Sequence, residues 1–483
     1  MRIKNIFLLI IIIFITACSN QTDEIPTATE SIFLTLPVTD TPSLPTETPQ
    51  PTLTPVPAIQ RAKYSLNVLM DYDAHAVNVD ETILYPNLTG KQLNNLVIAI
   101  VPNLWQGSFN LTSVMIKGET ITNYIITNQR LDIPLSFFLA PNETLEIKIQ
   151  YSLALPFAEQ EDPSISRPRI YGYTSRQINL TNWYPFVVPN INGEWILHEP
   201  WYYGEHLVYD AADYEVTLNF ADPATAPIVA SSGVPEIQAD GSTIYKINSA
   251  RTFALSASRD FQTSSTQVGD VTLTSYYFPF NESAGQAALQ ATNEALQIFS
   301  QRYGAYQHKS LAVVMGDFND GMEFSAFYYL SKDFYNLYDG TPANYLTFVA
   351  VHETAHQWWF DQISNDQALQ PWIDEALATY SERIYYENVH PDLVSWWWTY
   401  RIDFYKPEGF VDIPIYEGQG FRPYTNAVYF QGAKFLENLR TRIGDEAFFA
   451  FIQDYVKQSN GKIINANDFF AFSKHTPRSI FQI

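Results

Sequence analysis

The sequence predicts an α+β multidomain protein, with an N-terminal antiparallel β sandwich followed by a mostly helical domain. Three observations predict it. Period-two alternation fills the first part of the folded chain, helical spacing replaces it past about residue 280, and turn residues break the two patterns into separate runs.

The strands come first. Tyr64, Leu66, Val68 and Met70 alternate with Ser65, Asn67 and Leu69, and Leu96 to Val101 is a short apolar run. Leu145, Ile147, Ile149, Tyr151 and Leu153 alternate with Glu146, Lys148, Gln150 and Ser152, and Tyr214, Val216, Leu218 and Phe220 repeat the pattern. Runs of this kind predict a β-sandwich domain over 61–262. The second domain, 263–483, opens on a helix over Ala284 to Tyr303, where Ala288, Ala291, Ala295, Ile298 and Phe299 share a face. Leu311 to Met315 reads as a strand and Met322 to Leu330 as another. Tyr345 to Trp359, Glu375 to Tyr386, Val428 to Ile443 and Glu446 to Val456 read as helices.

Composition narrows the function. A chain of 483 residues leaves room for two to three domains at roughly 150 residues each. Apolar residues at 46% against 16% charged exclude a disordered chain overall. Acidic residues number 51 against 28 Lys and Arg, a net charge of −23, so no large basic face is available for nucleic acid. Aromatic residues at 15% point to large aromatic cores rather than sugar-binding platforms. One cysteine excludes an internal disulfide framework and any Cys-based zinc ribbon.

That cysteine closes an export signal over residues 1–18. Arg2 and Lys4 are followed by ten apolar residues, Ile6 to Ile15, a run too short to span a bilayer. Ile15-Thr16-Ala17-Cys18 resembles the bacterial lipobox, which implies lipidation of Cys18 and an extracytoplasmic protein anchored to the cell membrane. An ordinary cleaved signal with an incidental cysteine is the alternative. Eight prolines and ten threonines between Ser19 and Pro57 keep the following stretch extended, and 19–60 reads as a stalk.

The chemistry concentrates in His352-Glu353-Thr354-Ala355-His356. On a helix, residues four apart lie one turn above each other, so two imidazoles can bind one zinc while Glu353 projects toward the metal's water. Eighteen residues separate His356 from Glu375 in Trp372-Ile373-Asp374-Glu375-Ala376, with turn composition between Ser364 and Pro371. A second helix can therefore present Glu375 as the third ligand, the hydrolytic His-His-Glu set with one position left open. Glu382, seven residues further on the same face, can orient a ligand.

His-Glu-x-x-His, eighteen residues, then Glu resembles the signature of the aminopeptidase N family of zinc metallopeptidases, the gluzincins. His356-Gln357-Trp358-Trp359 resembles the family's His-Gln-Trp-Phe, and Trp372 to Ala376 its Trp-Leu-Asn-Glu-Gly, with Asp374 in place of Asn. The resemblance implies a thermolysin-like catalytic domain, one zinc per chain held by His352, His356 and Glu375, Glu353 as general base, and peptide substrates cut at the N-terminus outside the cytoplasm. Tyr429-Phe430-Gln431-Gly432 resembles Tyr-x-x-Gly and implies that Tyr429 stabilises the oxyanion, with Tyr424 a lesser candidate; packing of Tyr429 and Gly432 is the alternative. Asp320-Gly321-Met322-Glu323-Phe324 resembles Gly-x-Met-Glu-Asn and implies substrate binding by Gly321, Met322 and Glu323, Glu323 receiving the free α-amino group. Asp320 and Phe324 depart from that pattern. Arg176 and Gln177 fall near the stretch through which the family's sandwich domain helps bind the amine, whereas His198 and His206 read as structural. The family's helical C-terminal domain is expected to be missing. Two other functions stay open: a zinc endopeptidase of the same fold, and a peptide-binding lipoprotein without turnover.

Overall fold

The strand Thr144–Ala154 shows how the sequence builds the N-terminal part. Leu145, Ile147, Ile149, Tyr151 and Leu153 are all buried, while Glu146, Lys148 and Gln150 face solvent. Burying each such side chain stabilises the fold by about 1.5–3 kcal/mol. In this computed structural model, which describes residues 60–158, 170–319 and 321–472, the strand lies within an eight-stranded sheet. Cys18, the signal segment and the stretch up to residue 59 lie outside the described residues, as does Asp320.

Ala62–Asp71 sits in the middle of that sheet, antiparallel to Ala76–Pro86 but parallel to Ala212–Phe220, with Ala62 opposite Ala212. Alternation could not distinguish parallel from antiparallel here, since both put every second residue into the core. Two four-stranded sheets cover the inner face, one built around Leu93–Ala99 and Arg130–Leu139, the other around Ile178–Leu180 and Leu255–Ser258. One acid interrupts the apolar interior. Glu81, paired with Leu66 and Ile149 on its neighbours, is 2% exposed. Neither of its carboxylate oxygens has a hydrogen-bond partner among the described residues, and burial pushes the carboxyl well above its ordinary range.

Gln262–Val268 opens a further, five-stranded sheet, continued by Val271–Tyr277, Ser310–Gly316, Phe327–Ser331 and the edge strand Met322–Phe324. Helix Glu282–Arg302 is the crossover between the parallel strands Val271–Tyr277 and Ser310–Gly316. The stretch expected as one strand from Met322 to Leu330 is a hairpin. Its turn is made at Ser325 and Ala326, with Ala326 at φ 52°, so Glu323 stands opposite Tyr328 on the sheet edge. Helices Tyr345–Ala355, Trp372–Val389, Gly432–Ile443 and Asp445–Ser459 pack behind this sheet.

Two hydrophobic cores result, and each borrows from the other. Tyr203, Ala230 and Ala254 join the core of the helical part, while Ala326 and Phe360 join the sandwich core. Arg251 seals the boundary. Fully buried, it donates to the carbonyls of Tyr209, Asp361, Gln362 and Lys462, and Asp361 in turn holds His308 at 2.6 Å. The solvated charge of Arg251 is thus replaced by fixed carbonyl dipoles.

Candidate metal centre and substrate cleft

Helix Tyr345–Ala355 starts at Asn344, whose side chain accepts the Thr347 N–H at 3.0 Å. It is apolar on nearly every face, as a helix inside a core must be. His352 and His356 follow one turn apart at its C-terminal end, and their Nε2 atoms lie 3.1 Å from each other. Glu375 comes from the first turn of Trp372–Val389. Its Oε2 is 3.2 Å from His352 Nε2 and 3.6 Å from His356 Nε2.

The proton inventory shows what this cluster needs. His356 Nδ1 donates to the Trp359 carbonyl at 2.9 Å, and His352 Nδ1 donates to Glu382 Oε1 at 2.9 Å. With neutral rings both Nε2 atoms therefore present lone pairs, facing each other and a carboxylate. Three acceptors without a proton repel one another unless a cation sits between them. Burial would lower the His352 imidazole, but its bonds to Glu375 and Glu382 outweigh burial and push it up to about 9. Against burial, His352 and His356 hold Glu375 far below the carboxylate range. Metal–ligand bonds of about 2.0–2.1 Å in a tetrahedron space ligand atoms by about 3.3 Å, close to the separations found. His352, His356 and Glu375 thus fit zinc by donor type and spacing. Glu323, His356 and Asp374 form a second close group, but it shares the one free nitrogen of His356.

Glu382 is buried and anchors His352 from behind. Arg401 grips both of its oxygens at 2.9 and 2.8 Å, and Trp397 Nε1 donates to it at 2.9 Å. Against burial, these contacts keep Glu382 ionised and so keep the proton on His352 Nδ1. Both partners come from the π-helical turn Trp397–Ile402, to which no sequence signal pointed.

Glu353 is 5% exposed, and its Oε2 finds no hydrogen-bond partner among the described residues. Burial, with Glu323 and Glu375 adding to it and the two histidines opposing, pushes its carboxyl up to about 8. Tyr429 lies on the π-helical turn Asn426–Gln431 that opens the expected helix Val428 to Ile443. Its ring stacks parallel to that of His352 with centroids 6.1 Å apart, and Tyr424 follows at 5.9 Å. Gly432 has its own reason: a Cβ there would meet the Ala376 Cβ at 2.4 Å, so glycine lets the two helices cross closely.

Glu323 reaches the site from the sheet edge, and Gln357 fixes its hairpin to the metal helix. Gln357 Oε1 accepts the Ala326 N–H at 2.8 Å, and its Nε2 donates to the Phe324 carbonyl at 3.1 Å. Gln367 Nε2 bridges Glu323 Oε1 at 3.1 Å and Asp374 Oδ2 at 2.9 Å. Burial and the adjacent Glu375 push the Asp374 carboxyl well above its ordinary value. Met322, Glu323, Gly204, Glu205 and Gln367 line a cavity of about 160 Å³.

Arg176 and Gln177 are not brought to that cavity. Arg176 pairs with Asp317 at 2.9 Å over the Phe278 ring, and Gln177 bonds Ser256, Met315 and the Asp317 N–H. Glu205, which comes from a stretch without periodicity and carries no sequence signal, lines the cavity with Glu323 instead. His198 bonds Asp366 at 2.8 Å, and His206, pushed down to about 4 by burial, lines the cavity wall.

Comparison with known proteins gives a consistent picture. Residues 287–480 match the peptidase family M1 domain. Leucine aminopeptidase 2 of Neosartorya fischeri is 26% identical over 297 residues, which cover 54% of this chain and 45% of that protein. Aminopeptidase 2 of Candida albicans is 22% identical over 199 residues, 38% of this chain and 22% of that protein. The chain therefore spans less than half the length of these curated relatives. Among solved structures, the M1 zinc metallopeptidase of Deinococcus radiodurans superposes with a TM-score of 0.61 at 18% identity, over 87% of this chain and 91% of that one. One of its variants was solved with a Tyr-Ser-Ala substrate. The likeness establishes the fold, a β-rich N-terminal part followed by a helical domain.

Proposed function

For a chain that carries a peptidase family M1 domain, we propose a zinc-dependent aminopeptidase that removes N-terminal residues from peptides. The observation that carries it is the meeting of three side chains able to ligate one metal, His352, His356 and Glu375, beside a buried carboxylate whose Oε2 has no partner among the described residues. Those three residues would hold one zinc per chain, because the second group would need the same His356 nitrogen. When bound, zinc supplies a water that ionises near neutral pH and an electrophile for the peptide carbonyl.

The chain's own residues do the rest. Glu353 takes a proton from the attacking water at Oε2 and delivers it to the departing amine, a role suited to a carboxyl raised toward neutrality. Tyr429 donates its phenol proton to the developing oxyanion, which stabilises charge present only in the transition state. Glu323 at the cavity floor receives the substrate's ammonium, with Gly321 and Met322 along the peptide backbone, and Glu205 adds negative charge beside it. The small size of that cavity favours exopeptidase over endopeptidase action, because it suits a chain end better than a continuing chain.

The test compares kcat/KM for free and N-acetylated forms of one peptide, with and without chelator. A large preference for the free form, abolished by chelator and reduced in Glu323→Ala by about 2–3 kcal/mol, supports the reading. A ratio near one, unmoved by the substitution, favours the endopeptidase. Zinc binding without any hydrolysis favours a binding protein. We further propose export and lipid anchoring at Cys18, supported by the sequence before it. Cys18→Ser should move the protein from the membrane to the soluble exported fraction, and a soluble wild type would refute the anchor.

A further inference from the structure

A second cavity, lined by none of the metal-centre residues, is not explained by that centre. Its walls are two loops, one from the β-rich part with Trp201, Tyr202 and Tyr203, the other from the helical part with Tyr416, Gln419 and Phe421. The cavity measures about 770 Å³. Trp201, Tyr202 and Phe421 are 40%, 52% and 41% exposed, so large rings face water together. Clustered exposed apolar surface of this kind marks a binding site more often than chance.

The rings are held in place. Trp201 meets Tyr202 at 5.1 Å and Tyr416 at 5.3 Å, edge to face in both cases. Tyr416 is fixed by its hydroxyl, which donates to the Glu199 carbonyl at 2.7 Å, and Tyr203 OH accepts the Gly420 N–H at 3.1 Å. The second loop can lie this close only because of Gly418, where a Cβ would come 2.7 Å from the Tyr424 Cβ and 3.0 Å from the Tyr203 hydroxyl. A rigid platform takes a ligand without first paying the entropy of ordering itself.

The platform is linked to the metal centre by a row of packed rings, of which Tyr424 and Tyr203 are buried. From the His352 ring, aromatic contacts run to Tyr429 at 6.1 Å, to Tyr424 at 5.9 Å, to Tyr203 at 5.1 Å and to Phe421 at 6.5 Å. An extended peptide advances about 3.3 Å per residue, so Phe421 lies within about seven residues of His352 along such a chain. The cavity at Glu323, about 160 Å³, has room for little more than a chain end, which leaves this larger cavity of about 770 Å³ for the remainder of a peptide. Its lining carries one charged side chain, Glu417.

We propose that the cleft of Trp201, Tyr202, Tyr416 and Phe421 is an extended substrate subsite that takes an aromatic or large aliphatic side chain downstream of the bond to be cut. The inference rests on the peptidase reading and assigns its longer substrates a chemistry: oligopeptides with a bulky apolar residue several positions from the N-terminus.

The test uses octapeptides with a free N-terminal leucine and otherwise small polar residues, in which one phenylalanine or one alanine is placed at each position from two to eight. For the zinc-loaded protein the ratio of kcat/KM, Phe over Ala, should rise about tenfold at one or two adjacent positions, through KM, the lower end of what burying one aromatic ring supplies. In Trp201→Ala and in Phe421→Ala that ratio should fall below about twofold. A ratio that is flat along the peptide, or a peak that survives both substitutions, overturns the subsite. Calorimetric binding of the same peptides to Glu353→Gln separates the two readings. Position-dependent binding with no turnover in the wild type keeps the subsite and refutes the peptidase, whereas turnover with flat binding and flat ratios does the reverse.

Discussion

Gly321 stands against the carboxylate of Glu353: a Cβ at position 321 would lie 2.6 Å from Glu353 Oε1 and 3.0 Å from Val349 Cγ1. The absence of a side chain there, rather than any left-handed backbone, is what leaves the carboxylate room to point into the metal centre. Gly321→Ala should therefore push Glu353 aside at little cost to folding, since a carboxylate end can rotate away. We expect kcat to fall by at least about tenfold, because the base must lie within hydrogen-bond reach of its proton, with zinc content and melting temperature close to wild type. Kinetics run alongside metal analysis check it, and an unaltered kcat would mean that Glu353 works from another position.

Arg401 has no contact with the three acceptors, yet the proton on His352 Nδ1 depends on it. Arg401→Leu would leave Glu382 buried without its bidentate partner, which costs about 3–5 kcal/mol of stability. Loss of such an outer partner should also weaken zinc binding by about ten- to a hundredfold. Competition with a chromogenic chelator measures the affinity. Arg401→Lys should recover part of the charge but not the two-point grip, and so fall between the two. Equal zinc affinity in all three proteins would make Arg401 a packing residue only.

Glu81 gives the β-rich part a pH dependence of known sign. Its carboxyl is raised in the fold, above an ordinary value of 4.5. As pH climbs past 4.5 the unfolded chain gives up a proton that the folded chain keeps, so this group's contribution is complete below 4.5 and is lost toward the raised folded value. The loss amounts to about 1.4 kcal/mol for each pH unit in that window. Glu81→Gln removes the ionisation, and its stability relative to wild type should grow from pH 5 to pH 8. Denaturant melts at the two pH values measure this; a constant difference would show that Glu81 stays ionised within the fold.

These cases mark where sequence reading works and where it stops. His352, Glu353 and His356 are legible because one helical turn fixes their mutual placement, and Glu375 because a short turn-rich stretch lets the next helix fold back. The buried strands Tyr64 to Met70 and Leu145 to Leu153 are legible because alternation in sequence is alternation of faces. Arg401, Trp397 and Glu205 are not, since each reaches the site from a segment without periodicity, placed there by tertiary packing alone. The hairpin carrying Glu323 looks like a single strand in sequence because its turn places Ala326, a residue with no preference for it, in the left-handed region. The parallel pairing of Ala62–Asp71 with Ala212–Phe220 joins segments too distant for any local pattern to report.

Tyr429 and Glu353 differ in what their loss should do. Tyr429→Phe keeps the ring stacked on His352 and removes only the hydroxyl, so zinc and substrate binding should persist while kcat falls by about a hundred- to a thousandfold. A change confined to KM would move Tyr429 from transition-state stabilisation to substrate binding.

The central claim is that a zinc held by His352, His356 and Glu375 works together with the base Glu353. Measuring zinc stoichiometry and kcat together in the wild type and in Glu353→Gln tests it most directly. The account predicts one zinc per chain in both proteins, with kcat lower in the variant by about a hundredfold or more. A wild type that binds no zinc, or a Glu353→Gln protein that turns over as fast as the wild type, would contradict it.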